Sequence, residues 1–401
     1  MNQNALSPPR LHRMSAILSS YVDNGALPGL VALVSRRGEV HVDAIGMQSI
    51  GGSEPMRRDT IFRISSMTKP IAAAAAMILV EECRLRLDDP VDRFLPELAN
   101  RRVLKRLDGP LDDTVPAKRS ITLRDLLTLR MGMGHIMAYA QDYPIRKALD
   151  AYGLLPGPPQ PQAEPAPDEW MRKVGTLPLM HQPGERWMYD LGLDVLGVLI
   201  ARAVGQPLDA FMRERIFAPL GMHDTGFHVP SEKRVRLATS YAANPETRAL
   251  EIYDGVDDSQ WGRPPAFPAA ASGLVSTVDD YLAFCRMMLN KGKHGNERIL
   301  SRPSVELMTA DHLTPEQKSG MDIFFRGNSG WGFGMAVFTH RDGLATTPGR
   351  FGWDGGLGTS AYSDPKEDLV GILMTQRMMD SPDPPGVFTD FWTSAYQAID
   401  D

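Results

Sequence analysis

Apolar and polar positions repeat with helical or strand periods along most of the chain, and they predict a mixed architecture of helices and strands. An amphipathic helix is predicted over 11–24, followed by strands over 29–35 and 40–46 joined by a hairpin turn. Further helices are predicted at 71–80, 195–204, 208–217, 277–290 and 387–399, and further strands near 331–339, 358–363 and 369–375. Strands from both ends of the chain are expected to share one antiparallel sheet, with a helical middle between them.

A serine and a lysine three residues apart stand at the predicted start of the helix over 71–80. The spacing of Ser66 and Lys69 places both side chains on one helical face. Pro70 fits only a first turn, so the helix is expected to begin close to Ser66. A serine hydroxyl needs a base to become a nucleophile, and a lysine serves as one when its pKa is lowered by a helix N-terminus and burial. Taken alone, the pattern is more typical of a capping serine beside a solvated lysine.

Two later segments carry further candidate chemistry. Tyr189 lies at a loop-to-helix junction, where its hydroxyl is either satisfied by a backbone group or available as a proton carrier. The glycine-rich stretch 351–360 indicates either a strand whose backbone another group approaches closely or a tight corner without a chemical role.

These segments resemble the three motifs of the serine β-lactamase and penicillin-binding-protein superfamily, and family VIII carboxylesterases in particular. The motifs are Ser66-x-x-Lys69, Tyr189-x-Leu191 and Trp353-x-Gly355, with supporting segments at 121–128, 219–225, 272–277 and 330–334. The resemblance covers about 17–376. It implies an α+β fold of the β-lactamase/transpeptidase-like type. One α/β domain would be formed by 1–70 and 278–401, a mainly helical domain by 71–277, and the active site would lie in the cleft between them.

The resemblance also implies residue roles. Ser66 would be the nucleophile, and Lys69 and Tyr189 would together accept its proton and return it to the leaving group. Backbone N–H groups of Ser66 and Gly356 would form the oxyanion hole, where such donors contribute about 3–4 kcal/mol each. The substrate would be bound by Leu191, Trp353, Asp354 and Gly355.

Two departures from the β-lactamases favour esters as substrates. Leu191 stands where class C enzymes carry asparagine, and Trp353 where they carry lysine. Neither side chain can hold an amide or attract a carboxylate as those residues do. We therefore expect hydrolysis of esters with short to medium acyl chains and weak or no β-lactamase activity. Acyl transfer and D-amino-acid peptidase or amidase activity are the alternatives, and an inert binding or scaffold protein is a third.

Two carboxylates depart from the esterases instead. Asp190 stands where a serine is common, and Asp354 where a small residue is common. Either carboxylate could alter substrate choice or a local pKa.

Composition agrees with a globular enzyme, and the resemblance implies a small-molecule ester as its substrate. The 401 residues are 43% hydrophobic and 23% charged, and the net charge of −6 gives no basic surface for nucleic acid. No stretch reaches the roughly 20 apolar residues of a membrane span, and the first ten residues contain no apolar signal core. Cys83 and Cys285 fall in apolar helical patterns and are expected to be buried and reduced, which favours a cytoplasmic location. The oligomeric state is left open.

Other chemistries lack their patterns. The chain contains no Gly-x-Ser-x-Gly, His-Glu-x-x-His or phosphate-binding glycine motif, so no cofactor is expected. His223 and His228 bracket Asp224, which is more typical of a surface turn than of a metal site. His135 is expected to be a structural loop residue, with a place in the cleft wall as the alternative.

Overall fold

The computed structural model describes residues 5–135, 143–154 and 157–401. Its helices are α1 (Pro8–Asp23), α2 (Thr68–Glu81), α3 (Leu123–Leu127), α4 (Pro144–Ala151), α5 (Pro167–Thr176), α6 (Leu191–Val204), α7 (Leu208–Met212), α8 (Ala218–Leu220), α9 (Val278–Leu289), α10 (Arg302–Met308), α11 (Pro315–Lys318), α12 (Asp322–Phe325) and α13 (Gly386–Gln397). Its strands are β1 (Gly29–Arg36), β2 (Glu39–Gly46), β3 (Phe62–Arg63), β4 (Arg102–Leu104), β5 (Thr114–Pro116), β6 (Ser240–Ala243), β7 (Leu250–Asp254), β8 (Val275–Ser276), β9 (Lys293–His294), β10 (Glu297–Arg298), β11 (Ser329–Trp331), β12 (Ala336–Phe338), β13 (Phe351–Gly355), β14 (Thr359–Asp364) and β15 (Leu369–Thr375).

The largest sheet has seven strands in the order β11-β12-β13-β14-β15-β1-β2, and every neighbouring pair is antiparallel. Strand β1 pairs with β15, with Leu30 opposite Thr375. The predicted antiparallel sheet shared by the two ends of the chain is therefore confirmed. The division into domains at 70/71 and 277/278 stays a prediction.

Helices cover both faces of this sheet. Along β15 successive side chains point to opposite faces, so Ile372 joins the larger core while Leu373 packs with α1 and α13. The larger core also contains α2, α6 and α9. Burial on both faces explains why β15 reads as a continuous apolar run rather than an alternating one.

Two predicted elements are divided in the structure. The strand expected over 331–339 is a hairpin of β11 and β12, because Gly334 turns the chain with φ +73°. A Cβ at Gly334 would lie 2.7 Å from the Lys69 carbonyl oxygen, so only glycine allows this turn to approach α2. The helix expected over 208–217 is α7 followed by a π-helical turn, Arg213–Phe217.

The prediction that both cysteines are buried is wrong for one of them. Cys83 follows the end of α2 with φ +56° and is exposed, whereas Cys285 in α9 is buried as predicted. Both thiols are free, and the cytoplasmic location stays a prediction.

Among the residues that the structure describes, no single helix has the length and hydropathy needed to cross a membrane. One pair would reach that length together, α6 with the segment Leu208–Leu220, but the pair is bent by 81°.

Candidate active site

A cleft of about 540 Å³ lies beside the C-terminal end of β13 in the large sheet. Predicted site residues that line it are Ser66, Tyr189, Trp353, Asp354 and Gly356. Much of its remaining wall is apolar, including Phe324, Phe338, Leu357 and Trp392. Such a cleft, apolar with a few convergent polar groups, is the usual form of a small-molecule site.

Local structure presents the Ser66 hydroxyl to this cleft. Ser66 is the middle residue of a 3-10 turn, Ser65–Met67, that leads directly into α2. The turn is held from two sides, because Thr68 Oγ1 donates to the Ser65 carbonyl at 2.7 Å and the Tyr281 hydroxyl donates to the Met67 carbonyl at 2.9 Å. The predicted helix start near Ser66 is confirmed.

The structure brings the three predicted catalytic side chains together. Lys69 Nζ lies 3.0 Å from Ser66 Oγ, and the Tyr189 hydroxyl lies 2.8 Å from the same oxygen. Both separations are within hydrogen-bonding range, so either group is placed to exchange a proton with the serine. Tyr189 is therefore more than a packed ring with a backbone partner.

Lys69 is held by several groups besides Ser66. Its side chain is 0% exposed, and its Nζ donates to the Ala271 carbonyl at 2.8 Å and contacts Asp190 Oδ2 at 3.3 Å. Burial lowers the pKa of Lys69, whereas Tyr189 and Asp190 raise it, and the net direction is upward. The expected lowering of this pKa is wrong, because the partners outweigh the burial.

A second carboxylate behind Lys69 escaped the sequence analysis. Asp194, in the first turn of α6, accepts a 2.8 Å hydrogen bond from the Ala271 N–H. The carbonyl of that same residue accepts a hydrogen bond from Lys69 Nζ, so the Ala271 backbone links the two side chains. Burial and, after it, the charge of Asp190 raise the pKa of Asp194 to about 7. The available signal was a lone acid within an otherwise apolar helical run.

Trp353 has a contact that its motif position did not suggest. Its indole N–H donates to the Tyr189 hydroxyl oxygen at 2.8 Å, and the side chain is 8% exposed. The ring packs edge-on against Trp331 at 4.8 Å between centroids. Trp353 therefore orients Tyr189 as well as lining the cleft.

The two glycines at the end of β13 serve different purposes. A Cβ at Gly355 would overlap Thr359 Oγ1 and the Ile64 carbonyl oxygen, so β13 approaches the chain just before the serine turn closely. This agrees with the interpretation that another group approaches the backbone here. Gly356 lines the cleft, and within the described part of the chain its N–H has no acceptor. That N–H is available to a substrate oxygen.

The remaining predicted substrate-binding residues are placed differently. Leu191 does not line the cleft, because it begins α6 and is buried in the larger core. Asp354 does line it, and its carboxylate accepts from the Ser360 hydroxyl at 2.5 Å and the Tyr362 hydroxyl at 3.3 Å. Burial raises the pKa of Asp354.

Two loop segments complete the walls. His135 lines the cleft, its backbone N–H bonds to the Tyr189 carbonyl, and burial lowers the pKa of its ring. In the proline-rich segment 155–168, residues 155–156 lie outside the described part, and Pro158 and Pro159 line the cleft. The Tyr253 hydroxyl anchors this loop by donating to the Pro159 carbonyl at 2.7 Å.

The histidines around Asp224 lie away from this cleft. Asp224 is ion-paired with Arg236 and Lys233, and both cations lower the pKa of its carboxyl to about 2. Among the described residues, no three His, Cys, Asp or Glu side chains form a group suited to a metal ion.

The fold and the Ser-Lys-Tyr cluster define a protein of the β-lactamase and penicillin-binding-protein type, a superfamily of serine hydrolases. The chain belongs to the Beta-lactamase family, whose model matches residues 14–387. It is 40% identical over 376 residues to Protein Rv1367c of Mycobacterium tuberculosis H37Rv, covering 91% of this chain and 90% of the relative. It is 30% identical over 382 residues to Esterase EstB of Burkholderia gladioli, covering 90% of this chain and 89% of the relative.

Solved structures share the fold. EstCE1, described as a hydrolase with promiscuous acyltransferase activity, superposes with a TM-score of 0.81 at 25% identity, over 97% of this chain and 99% of that one. The β-lactamase/transpeptidase-like fold expected from the motifs is confirmed.

Proposed function

We propose that this protein is a serine carboxylesterase of the family VIII type that hydrolyses neutral esters with short to medium acyl chains. The observation that carries the proposal is the pair of contacts to Ser66 Oγ, 3.0 Å from Lys69 Nζ and 2.8 Å from the Tyr189 hydroxyl. The 30% identity to Esterase EstB over nearly the whole chain supports an ester as the substrate.

The reaction would proceed through an acyl-enzyme. Ser66 Oγ forms a bond to the ester carbonyl carbon while its proton passes to the Lys69 and Tyr189 pair. The carbonyl oxygen becomes an oxyanion that accepts from the N–H groups of Ser66 and Gly356. The carbon–oxygen bond to the alcohol then breaks, and the leaving oxygen takes the proton. Water repeats the sequence on the acyl-enzyme and releases the acid.

The cleft wall supports neutral substrates over β-lactams. Trp353 offers no positive charge, and its single N–H is already bonded to Tyr189. Leu191 carries no polar group and is buried in the core. A substrate carboxylate therefore lacks the lysine and amide partners that β-lactamases supply, and we expect weak or no β-lactamase activity.

Acyl transfer is a second candidate, favoured by the match to EstCE1. The chemistry to the acyl-enzyme is the same in both activities. The outcome depends on whether water or an alcohol reaches the acyl carbon first.

The test is intact-protein mass after brief exposure to p-nitrophenyl esters of increasing chain length, with p-nitrophenol release read in parallel. We expect an acyl adduct in the wild-type chain and neither adduct nor turnover in Ser66→Ala, which should remain folded. The neighbouring Ser65→Ala variant is the matched control and should still form the adduct. An adduct that persists in Ser66→Ala, or no adduct and no release with any ester, would refute the esterase proposal.

Two further arms use the same assay. An added alcohol should yield a transfer product only if the acyltransferase candidate is right. A chromogenic β-lactam should be hydrolysed slowly or not at all.

A further inference from the structure

A carboxylate that is unused in the mechanism above lies directly against the catalytic lysine. Asp190 Oδ2 is 3.3 Å from Lys69 Nζ, and the Asp190 side chain is 18% exposed at the cleft wall while Lys69 is fully buried. In this ion pair Asp190 therefore faces the cleft, and Lys69 lies behind it. A buried ammonium without a counter-charge is strongly disfavoured.

The contacts of Lys69 match those of an ammonium group. An ammonium has three N–H donors, and among the described residues Nζ has three oxygen partners, namely Ser66 Oγ, Asp190 Oδ2 and the Ala271 carbonyl. Of these three, only the carboxylate carries a formal charge. Asp194, the other acid nearby, has no direct hydrogen bond to Lys69 and is linked to it by hydrogen bonds through the Ala271 backbone.

The oxygen of Tyr189 has complementary contacts. It receives the indole N–H of Trp353, which can only donate, and it lies 2.8 Å from Ser66 Oγ. The ring also lies 4.4 Å from Lys69 Nζ, measured from its centroid. Donors and a positive charge on this side of Tyr189 stabilise a phenolate.

Resting on the proposed function, we propose that Asp190 is a positioning residue that keeps the proton on Lys69, so that Tyr189 receives the proton of Ser66. In the reacting tautomer Lys69 is an ammonium and Tyr189 is a phenolate. The Ser66 O–H bond breaks, its proton passes to the Tyr189 oxygen, and Oγ bonds to the carbonyl carbon. When the carbon–oxygen bond to the alcohol breaks, the leaving oxygen takes that proton from Tyr189.

Other titratable groups face this cluster and set the background for a pH experiment. Lys69 interacts with Tyr189, Asp190 and Asp194. Beyond them, His135 interacts with Asp190 and Arg146, and Glu164 interacts with Asp194. Substitution of Asp190 removes the charge that contacts Nζ and leaves these others in place.

The experiment is the pH dependence of kcat/KM for a neutral p-nitrophenyl ester in the wild type, Asp190→Asn and Asp190→Glu. Removing the negative charge makes the first proton easier to lose from the Lys69 and Tyr189 pair, so the acid limb should move to lower pH in Asp190→Asn. The plateau should fall at least tenfold, mainly in kcat, because the ammonium tautomer loses its counter-charge. Asp190→Glu should restore the wild-type acid limb and plateau of kcat/KM. Asp23→Asn, at the exposed end of α1, should change neither the limb nor the plateau.

Each other outcome contradicts the inference. A lower plateau with an unmoved acid limb would mean that Asp190 only maintains local structure. A shifted limb with an unchanged or higher plateau would mean that neutral Lys69 is the base. The mass-detected adduct and p-nitrophenol release separate the two proposals. An adduct in the wild type with no effect of Asp190→Asn overturns this inference alone, and absence of both adduct and release overturns the esterase proposal with it.

Discussion

The hydrogen bond from Trp353 to Tyr189 gives a sharp test of how the site works. Trp353→Phe removes the indole N–H that lies 2.8 Å from the Tyr189 oxygen but keeps an aromatic ring in the cluster. A hydrogen bond to a charged group is worth about 1.5–3 kcal/mol, against about 1 kcal/mol for a neutral pair. If the Tyr189 oxygen carries negative charge in the transition state but not in the resting enzyme, the difference of about 0.5–2 kcal/mol between the two bonds should lower kcat/KM by about 2- to 30-fold.

Trp331 provides a matched control for the loss of ring volume. It lies 4.8 Å from the Trp353 ring and is fully buried, and its indole N–H has no hydrogen-bond partner among the described residues. Trp331→Phe deletes the same atoms without breaking a hydrogen bond. We expect it to change thermal stability while leaving kcat/KM within about threefold of the wild type.

The assay is the initial rate of p-nitrophenyl ester hydrolysis over a range of substrate concentrations, with melting temperatures of both variants measured beside it. Equal losses of kcat/KM in the two variants would refute the reasoning, since packing alone would then account for the effect. A loss confined to KM in Trp353→Phe would also refute it, because Trp353 would then act on substrate binding alone.

Three other predictions concern stability and the shape of the site. Because the pKa of Asp194 is raised to about 7, the folded state binds more protons than the unfolded state between about pH 4 and 7. The free energy of unfolding should therefore fall as pH rises through that range. Denaturant titrations of Asp194→Asn should show a smaller decrease. Asp254→Ala leaves buried Arg63 without its counter-charge and should lower the free energy of unfolding by about 3–5 kcal/mol; an unchanged urea midpoint would contradict this. Gly355→Ala introduces a Cβ that overlaps the Ile64 carbonyl and should cost about 1–3 kcal/mol and most activity, and wild-type turnover would refute it.

The sequence was most informative where a short pattern fixes geometry. The i, i+3 spacing of Ser66 and Lys69 requires one helical face, and Pro70 limits where that helix can begin, so the proximity of these two side chains was predictable. The strands over 29–35 and 369–375 were predictable because burial on one or both faces leaves a distinct apolar pattern.

The sequence was least informative where side chains meet through tertiary packing. The bond between Trp353 and Tyr189 joins residues far apart in the chain, and no local pattern reports it. The upward direction of the Lys69 pKa depends on Tyr189, Asp190 and Asp194, whose approach to Lys69 is set by how α6 and the residues before it pack on α2. Leu191 occupies the expected motif position, yet its side chain turns into the core as the first residue of α6.

The pairing of β1 with β15 has a consequence for how the protein is made. Strand β1 (Gly29–Arg36) leaves the ribosome long before its partner β15 (Leu369–Thr375) is synthesised. Until then the apolar β1 edge is unpaired, which is the kind of surface that associates with other chains. Contacts between segments that are distant in sequence form late in folding. We therefore expect slow refolding and a yield of folded protein that depends on chain concentration and chaperones. A nascent chain that stops before β14 would hold Ser66 without the strands that close its cleft, so activity should emerge only after β14 and β15 have been synthesised.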